Sequence, residues 1–520
     1  MKASEYKISS EKFVLRQNNE NLHDNKLQTK PISYFKDALY RFTRNKASIV
    51  AAFIIGILIL FAIIVPFITP YKVADEDINY KHVLPKLQIF EKIDAPFWNG
   101  KINKKGMSEE TFLLNYAKGL ETGRVAVTNW EKYEVEVQER GKTKTVVKYN
   151  YTLDTYANVG VEFMILNEDQ YKSIQQYQDE TGIQVIYPWI NTKPTAQQDI
   201  NEANYWYETV TKAGKTQSKV TYDENGIPQY KNIYRAYTGK DGYTSKIRIE
   251  GAEPKYDYAK KVQGGYEVRV SYYDYYVYYH TYVLKDRIKS PCFALGATGN
   301  GKDLLSCLSN GARFSFILAI IVASVNLFVG AIYGAIEGYY GGKVDIIMER
   351  IVELLGAVPQ MIVIVLLKYH LDVSHIVILF IAFFATGWMG MAGRTRMQFY
   401  RFKNQEYVLV SRTLGARDLR VMFKHIFPNA IGTLITSCVL VIPSVIFSET
   451  SLTYLGIIDL STGGITSVGT LLSNGQADLY TFPHTIIFPA LFISLLMLSF
   501  NLFGNGLRDA FNPSLRGSEE

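Results

Sequence analysis

One string in this sequence has the spacing of a phosphate-binding loop, Gly296-Ala-Thr-Gly-Asn-Gly301-Lys302-Asp303. In such loops the glycine backbone surrounds phosphates, and a Ser or Thr directly after the lysine binds magnesium. Asp303 occupies that last position here, and its carboxylate would repel phosphate oxygens. No buried strand-like run enters the string either. The sequence therefore predicts that this chain hydrolyses no nucleotide and is not an enzyme.

The other residue types that carry chemistry are too scattered to form a site. Cys292, Cys307 and Cys438 include no C-x-x-C pair, so neither zinc nor redox chemistry is indicated. Free thiols are favoured, although Cys292 and Cys307 could pair outside the cell. His82 and His280 are isolated, which argues against an ectoenzyme. We expect no catalytic residue, no metal ligands and no cofactor bound by this chain.

A basic stretch late in the chain has the pattern of a helix, a break and a second helix. Asn404 can cap a first short helix, Gly415 can end it in a left-handed conformation, and Asp418 favours the start of the second. Pro428 and Asn429 then mark the return to an apolar span.

This predicted helix pair is apolar at Val408, Val410 and Leu414 and basic around them. Such a pair suits insertion into a groove on a partner protein. A helix lying on the membrane surface has the same character. The residues alone leave both alternatives open.

Long uncharged stretches indicate membrane-spanning helices, which the mean hydropathy of −0.02 conceals. The first, at residues 47–68, is too long for a signal-peptide core of about 7 to 15 residues, and no small-residue cleavage site follows it. Five more apolar spans lie at residues 314–336, 351–371, 376–391, 431–447 and 485–503. We therefore predict about six transmembrane helices.

The formal net charge is +7, but the basic residues form no single stripe with interleaved aromatics, so nucleic acid is not expected as a partner. Instead they cluster beside the apolar spans, as in cytoplasmic loops of membrane proteins. They precede the first span and fill the segment 393–425: Arg41, Arg44 and Lys46, then Arg394, Arg396, Arg401, Lys403, Arg412, Arg417, Arg420 and Lys424. The N-terminus and this segment are therefore predicted to be cytoplasmic.

Residues 71–290 contain no membrane-length span and hold most of the 38 tyrosines. Aromatic and β-branched residues mix in strand-like runs at 133–137, 145–151, 246–249 and 266–283, with turn signals at 225–226 and 241–242. This pattern predicts a β-rich or α+β domain, which lies outside the cell if the first span starts inside. The polar first 30 residues show no apolar period and are predicted to be a disordered tail.

Four ionisable residues lie in or beside the spans. Charged groups at membrane depth are costly and usually face a bundle interior or an aqueous path. Glu349 and Arg350 stand near a span end, where a position at the membrane interface accounts for them. Glu353 and Glu449 are candidates for a polar translocation path.

The cytoplasmic string resembles the EAA loop of ABC importer permeases. That pattern places a glycine within the loop and, in peptide permeases, a following His-x-x-Pro-Asn. In that family the loop is the coupling helix that docks on the ATP-hydrolysing subunit. The resemblance implies this role for Glu406, Tyr407, Val408, Arg412, Leu414, Gly415, Ala416, His425, Pro428 and Asn429.

Further strings are similar to the C-type permease of oligopeptide and dipeptide importers, the OppC/DppC type. They are residues 293–306, which resemble its L-G-T-D-x-x-G-R-D-x-x-S entry to the second helix, and residues 311–313, 339–342, 449–456 and 505–513. The departures are Asn505 and Asn512 where aspartates are common, Val468 for a usual tryptophan, and Thr298 without its acidic neighbour. The resemblance covers roughly residues 33–70 and 291–514, and residues 71–290 replace a short connection.

The resemblance implies an all-α polytopic membrane protein with six transmembrane helices in the ABC importer permease fold, carrying a large inserted extracytoplasmic β-rich or α+β domain. The implied parts are a cytoplasmic tail at 1–46, helix 1 at 47–70, the inserted domain at 71–290, the permease core at 291–514 with its coupling loop at about 394–429, and a cytoplasmic tail at 515–520.

The same resemblance implies a subunit for peptide import across a bacterial cell membrane. Implied partners are the lipid membrane, a second permease of the OppB/DppB type, two ATPases of the OppD and OppF type that hold ATP and magnesium, and an extracytoplasmic peptide-binding lipoprotein. The alternative is a membrane-anchored receptor or assembly protein that acts through its Tyr-rich external domain. Those tyrosines could equally be ordinary strand residues.

Overall fold

The computed structural model describes residues 34–92, 97–139, 142–187, 189, 207–212, 215–220, 258–461 and 465–511. The first 33 residues, the strand-like run at 246–249, the turn signals at 225–226 and 241–242, and the tail at 515–520 lie outside them. Within the described residues, helices form both ends of the chain, and strands lie between residues 101 and 271.

The helices begin and end as follows. They are α1 (Tyr34–Arg44), α2 (Lys46–Ile68), α3 (Gln88–Lys92), α4 (Glu109–Thr122), α5 (Glu168–Thr181), α6 (Tyr272–Tyr278), α7 (Leu304–Tyr340), α8 (Gly342–Gly356), α9 (Gln360–His370), α10 (His375–Phe402), α11 (Glu406–Thr413), α12 (Asp418–Arg420), α13 (Phe427–Tyr454), α14 (Val468–Gly475) and α15 (His484–Phe511). A π-helical turn at Val421–Ile426 joins α12 to α13.

Among the described residues, five stretches are long and apolar enough to cross a membrane: α2, α7, α10, the continuous stretch Asp418–Tyr454, and α15. Each contains one of the predicted spans. A sixth span is reached only if α8 and α9 are taken together. The bundle is therefore one of five or six spans.

The span predicted at 351–371 is not one continuous helix. This region is divided between α8 and α9, which meet at an angle of 70°. Pro359 lies in the break and directly precedes α9. Proline disfavours a helical conformation in the residue before it and lacks the N–H that a continuing helix needs. The chain therefore bends at this point in the bundle.

Small residues bring α7 and α10 into close contact. Gly330, Gly334 and Gly338 recur at every fourth position of α7. A Cβ atom added to Gly334 would lie 2.1 Å from the carbonyl oxygen of Ala392 on α10. Repeats of small residues at this spacing let membrane helices pack backbone to backbone. The contact fixes α10, and with it Arg396, against α7.

The strands are β1 (Lys101–Ser108), β2 (Val127–Glu139), β3 (Lys142–Asp154), β4 (Val161–Leu166), β5 (Ile186–Tyr187), β6 (Tyr207–Lys212), β7 (Lys215–Val220), β8 (Ala259–Val262) and β9 (Gly265–Ser271). The first sheet has the order β1-β3-β2, in the second sheet β4, β5 and β8 all pair with β9, and β6 and β7 form a hairpin. All pairs are antiparallel. The strands predicted at 133–137 and 145–151 are confirmed, since they lie in β2 and β3.

The prediction of one strand at 266–283 is wrong beyond the end of β9. The chain continues there as α6 and a π-helical turn at Tyr279–Leu284. Tyr272 and Tyr276 both pack on the buried ring of Tyr80, with ring centroids 5.6 and 5.2 Å away. Four residues span about 6 Å along a helix but about 13 Å along a strand, so only a helix lets both rings contact the same partner ring.

The strand-bearing segment closes onto the loop that leads into α7. The fully buried ring of Tyr80 also packs against Phe293 of that loop. The backbone N–H of Lys86 donates to the carbonyl of Phe293 at 2.9 Å, and the indole N–H of Trp98 donates to the carbonyl of Ala294 at 2.7 Å. These contacts fix the segment at the end of the bundle where α7 begins.

The string with phosphate-loop spacing is a turn packed against the protein itself. A Cβ atom on Gly301 would lie 1.7 Å from the carbonyl oxygen of Asp77, and the backbone there has φ of +74°. Asp303 caps α7, because its carboxylate accepts the Ser306 N–H at 2.8 Å. The glycine backbone that would surround a phosphate is thus in contact with protein atoms. Nearby, Cys292 and Cys307 form no disulfide bond.

Replacing residues 88–289 by a short Gly/Ser linker is expected to leave the membrane helices inserted and the bundle folded. Lys86 and Phe293 are joined by a backbone hydrogen bond, so a few residues bridge the gap. The main core of the bundle contains no residue of the removed stretch. The free energy of unfolding should fall, because the surface around Tyr80 that the removed residues cover becomes exposed. Size-exclusion profiles and protease protection measure the outcome, and failure to insert would contradict it.

Candidate functional site

Residues 406–420 form the two short helices predicted within the EAA-like loop. We call these residues the coupling segment. Between α11 and α12, Gly415 has φ of +80°, and α12 begins at Asp418. Both features confirm the prediction. The predicted cap at Asn404 is wrong, because the residue that precedes α11 is Gln405, and its side chain makes no capping bond. The carboxylate of Glu406 in the first turn instead meets the positive end of the helix.

One face of this coupling segment is fixed to α7. Val408 is fully buried in a cluster with Tyr339 of α7 and Ile426. The Tyr339 hydroxyl donates to Asp418 Oδ1 at 2.6 Å. The guanidinium of Arg412 lies 4.9 Å from the centre of the same ring, within the range of a cation–π contact. The position of the coupling segment is therefore tied to the end of α7.

The His-x-x-Pro-Asn string closes the base of the coupling segment. The Asn429 amide donates to the Tyr407 hydroxyl at 3.1 Å and to the carbonyl of His425 at 2.9 Å. Pro428 lies in the first turn of α13, where a missing N–H costs no helical hydrogen bond. The string thus joins α11 to the start of the next membrane helix.

The opposite face of the coupling segment is apolar and exposed. Leu414 is 82% exposed, Leu419 is 68% exposed and Val410 is 56% exposed. Val408, which was predicted to share this face, packs inward instead because its position on α11 faces the bundle. Ala416 is half-buried beside the Gly415 turn. The exposed apolar surface is therefore centred on the turn.

Two residues before Tyr339 on α7, Glu337 joins a charge cluster. Arg396 of α10 donates to both carboxylate oxygens of Asp345, at 2.6 and 2.9 Å. Glu337 Oε1 lies 3.4 Å from Arg396 Nε, and Glu349 Oε2 lies 3.4 Å from Arg396 Nη1. Glu337 is fully buried. One arginine thus links α7, α8 and α10 through three carboxylates, and Glu349 has a specific partner in the bundle.

A cavity of about 400 Å³ lies where the α8–α9 break meets α7, α10 and α13. Its polar lining residues are Asn326, Gln360, Thr386, Ser444 and Ser448. Within the described residues, Asn326 Oδ1 has no hydrogen-bond partner although the residue is buried. A Cβ atom on Gly387 would lie 2.2 Å from Asn326 Nδ2, so the glycine makes room for this amide. The cavity offers hydrogen-bonding groups in an otherwise apolar bundle.

Neither candidate path carboxylate lines this cavity. Glu353 is exposed on α8 and pairs with Arg350. Glu449 is fully buried, and its Oε2 accepts a hydrogen bond from the Ser315 hydroxyl at 2.8 Å. The structure therefore does not bring the two carboxylates together with the cavity, and their role in a path stays a prediction.

Sequence reasoning missed several residues of these sites. Asn326 was not singled out, although a polar residue inside an apolar span is itself a signal of function. Glu337 directly follows the predicted span 314–336 and gave no such signal. Neither did Asp345, which also stands outside the predicted spans. Its role depends on Arg396, which was recognised only as one of many basic residues.

Comparisons with known proteins match the two parts of the chain that flank the strand-bearing segment. A family model for the N-terminal TM domain of oligopeptide transport permease C matches residues 33–86. A model for the binding-protein-dependent transport system inner membrane component matches residues 326–517. The oligopeptide transport system permease protein OppC of Bacillus subtilis is 42% identical over 221 residues, which cover 42% of this chain and 72% of that protein. The chain belongs to the OppC/DppC family of ABC transporter permeases.

Other similarities cover comparable shares of the chain. The dipeptide transport system permease protein DppC of Bacillus subtilis is 38% identical over 222 residues, or 42% of this chain and 67% of that protein. Among solved structures, the inward-facing MetNI methionine ABC transporter gives a TM-score of 0.31 at 13% identity, over 40% of this chain and 96% of that chain. As an OppC/DppC-family permease, the chain is a multi-pass membrane subunit of an ABC importer.

Proposed function

We propose that this permease carries oligopeptides or dipeptides into a bacterial cell as one half of an importer's path. The substrate class is the one named for the two Bacillus subtilis relatives. A second permease of the OppB/DppB type supplies the other half, and the lipid membrane surrounds both. This chain contributes no catalytic residue, since ATP hydrolysis belongs to the partner ATPases.

The observation that carries this proposal is the exposed turn of the coupling segment. Val410, Leu414 and Leu419 present apolar side chains from a support that is fixed to α7. A helix on the membrane surface needs a continuous apolar face, whereas α11 has only 8 residues and ends at the turn. A short, rigidly held apolar projection suits a groove on a protein. We assign it to docking on ATPases of the OppD and OppF type, which bind ATP and magnesium.

The contacts of α7 provide a route from the docked ATPase to the path. Asp418 of the coupling segment is bonded to Tyr339, and Glu337 lies two residues away on the same helix. Arg396 then connects Glu337 to α8, whose end lines the cavity. Movement of the coupling segment would thus reach the α8–α9 break. ATP binding can favour one arrangement of this bundle only through such differential contacts.

The cavity beside the break is the proposed contribution of this chain to the path. Its amide and hydroxyl groups can exchange hydrogen bonds with the backbone of a peptide, whatever its side chains. Glu353 and Glu449 remain proposed path residues, reached in another arrangement of the helices.

The path role of Glu449 predicts that Glu449→Gln lowers peptide uptake while the amount of protein in the membrane stays normal. Glutamine keeps the shape and can still accept the Ser315 hydrogen bond, so only the charge is lost. Uptake of a labelled peptide and immunoblots of membranes measure the two effects. Ser315→Ala serves as the control, because it removes the hydrogen bond and keeps the carboxylate. A fall in protein amount that matches the fall in uptake would assign Glu449 to packing.

We also propose that both termini are cytoplasmic and that residues 71–290 form an extracytoplasmic domain. Basic residues precede α2 and fill the segment 393–425, as cytoplasmic segments do. The strand-bearing segment contacts the loop before α7, while the coupling segment contacts its other end. Since α7 has 37 residues, these two ends are roughly 55 Å apart, which exceeds the thickness of the hydrocarbon core. A peptide-binding lipoprotein would deliver its cargo on the side of the strands.

Uptake by cells tests the substrate assignment. A strain that lacks the gene for this chain should lose uptake of labelled dipeptides and oligopeptides, and the intact gene should restore it. A variant with Leu414→Asp and Leu419→Asp in the coupling turn should fail to restore it at normal protein level. Restoration by that variant would contradict the coupling role. Unchanged peptide uptake in the deletion strain would contradict the substrate class.

A further inference from the structure

A pocket of about 440 Å³ opens where α2 ends and α7 begins. Val65 and Ile68 of the last turn of α2 and Leu305 of the first turn of α7 form its apolar walls. Arg287 and Lys289, from the segment that precedes the loop into α7, line it as well. Because both α2 and α7 are membrane spans that end here, the pocket lies at the depth of lipid headgroups.

Arg287 and Lys289, the two cations of the pocket, have no ion-pair partner among the residues that the structure describes. Both side chains are exposed. Asp286, their neighbour in sequence, is engaged elsewhere. Its Oδ2 lies 2.6 Å from His280 Nδ1, and its Oδ1 accepts the Ile288 N–H at 2.8 Å. An anion bound between the two side chains would neutralise their positive charge.

A buried carboxylate adds a second, independent requirement. Asp303 lines the pocket and is only 3% exposed. Its Oδ2 accepts the Ser306 N–H, but within the described residues its Oδ1 makes no hydrogen bond. Burial raises the pKa of the Asp303 carboxyl to about 6, although the Ser306 and Leu305 N–H groups and the Thr69 hydroxyl beside it favour its charged form. A buried oxygen without a donor is costly, so a ligand that brings a hydroxyl group would be favoured.

We propose that this pocket binds the headgroup of an anionic glycerophospholipid. The phosphate lies between the exposed side chains of Arg287 and Lys289, whose two positive charges outweigh the single negative charge of Asp303. A headgroup hydroxyl, as in phosphatidylglycerol, donates to Asp303. Ile68 is 66% exposed, so the acyl chains can run along α2 in the surrounding bilayer. The assignment of this lipid to the outer leaflet rests on the orientation given under the proposed function. Such a lipid would fasten the strand-bearing segment to the membrane surface beside the path.

The experiment uses the full chain in nanodiscs that contain equal amounts of phosphatidylglycerol and phosphatidylcholine. Native mass spectrometry after gentle delipidation counts the retained lipids. The chain is expected to retain one phosphatidylglycerol. The double variant Arg287→Gln with Lys289→Gln should bind it about 30-fold more weakly, since each basic residue near a membrane surface contributes roughly fivefold. Lys81→Gln with Lys285→Gln is the matched control, because it removes the same charge from exposed positions that do not line the pocket.

Two outcomes would overturn the lipid site. Equal retention of phosphatidylglycerol by both double variants would show that Arg287 and Lys289 contribute no more to lipid binding than other exposed lysines do. Release of the lipid by excess inorganic phosphate would assign the two cations to a free anion rather than to a headgroup. Lipid binding is measured without transport. If the proposed peptide transport were refuted, the lipid site would still stand, and failure of lipid binding would leave the transport proposal unchanged.

Discussion

Gly415→Val is expected to abolish both peptide uptake and recovery of the ATPase partners, while the chain stays in the membrane. Gly415 has φ of +80°, a conformation that β-branched residues avoid at a cost of roughly 1–2 kcal/mol or more. No atom lies within 4 Å of a Cβ atom added there, so the effect acts through the backbone and not through a clash. The turn would re-form with another angle between α11 and α12, and the apolar face around Leu414 would no longer match its groove.

Two matched variants make this prediction specific. Gly415→Asn should retain most coupling, because asparagine tolerates the left-handed conformation better than other residues. Gly456→Val creates the same strain at φ of +70°, also without a clash, but at the far end of α13. It should leave ATPase recovery intact. Normal recovery with Gly415→Val, or equal loss with Gly456→Val, would contradict the docking role of the turn.

Arg396→Met is expected to destabilise the folded bundle by about 3–5 kcal/mol, the usual cost of leaving a buried charge without its partner. Glu337 is fully buried, and Asp345 loses two hydrogen bonds, while methionine fills similar space without replacing either contact. Thermal unfolding of the detergent-solubilised chain, followed by size-exclusion chromatography, should show a clear drop in the melting temperature and a smaller monodisperse peak.

The neighbouring ion pair provides the control for Arg396. Arg350 and Glu353 are both largely exposed, so Arg350→Met should cost less than about 1 kcal/mol. Adding Glu337→Gln and Asp345→Asn to Arg396→Met should restore much of the lost stability, because the unpaired charges disappear. A melting temperature of Arg396→Met equal to that of the unchanged chain would show that the cluster does not hold α7, α8 and α10 together.

The positions of the membrane helices were predictable because apolar composition alone decides which segments can leave water. The bend at Pro359 was not predicted, because the residues around it are as apolar as those of an unbroken span. Only the tertiary packing shows that the break lies beside the cavity. In the coupling segment, Gly415 and Asp418 act through local backbone chemistry and were predicted correctly. Asn404 failed as a cap because helix starts commonly shift by one or two residues.

Contacts between residues that are far apart in the chain could not be predicted from the sequence. Runs that mix aromatic and β-branched residues at 133–137 and 145–151 form strands, yet the run after residue 271 forms a helix, in which Tyr272 and Tyr276 both pack on Tyr80. Propensity could not reveal that choice, since it depends on a residue almost 200 positions away. The Arg396 cluster and the cavity around Asn326 likewise join helices that only the tertiary fold brings together.

Affinity purification of the tagged full-length chain in mild detergent, followed by identification of its partners, tests the central claim most directly. An importer subunit should bring with it a second permease and two ATPases that carry intact phosphate-binding loops. The Leu414→Asp, Leu419→Asp variant should bring the permease without the ATPases. Recovery of the chain alone, or only with surface proteins through residues 71–290, would contradict the importer and favour a membrane-anchored receptor.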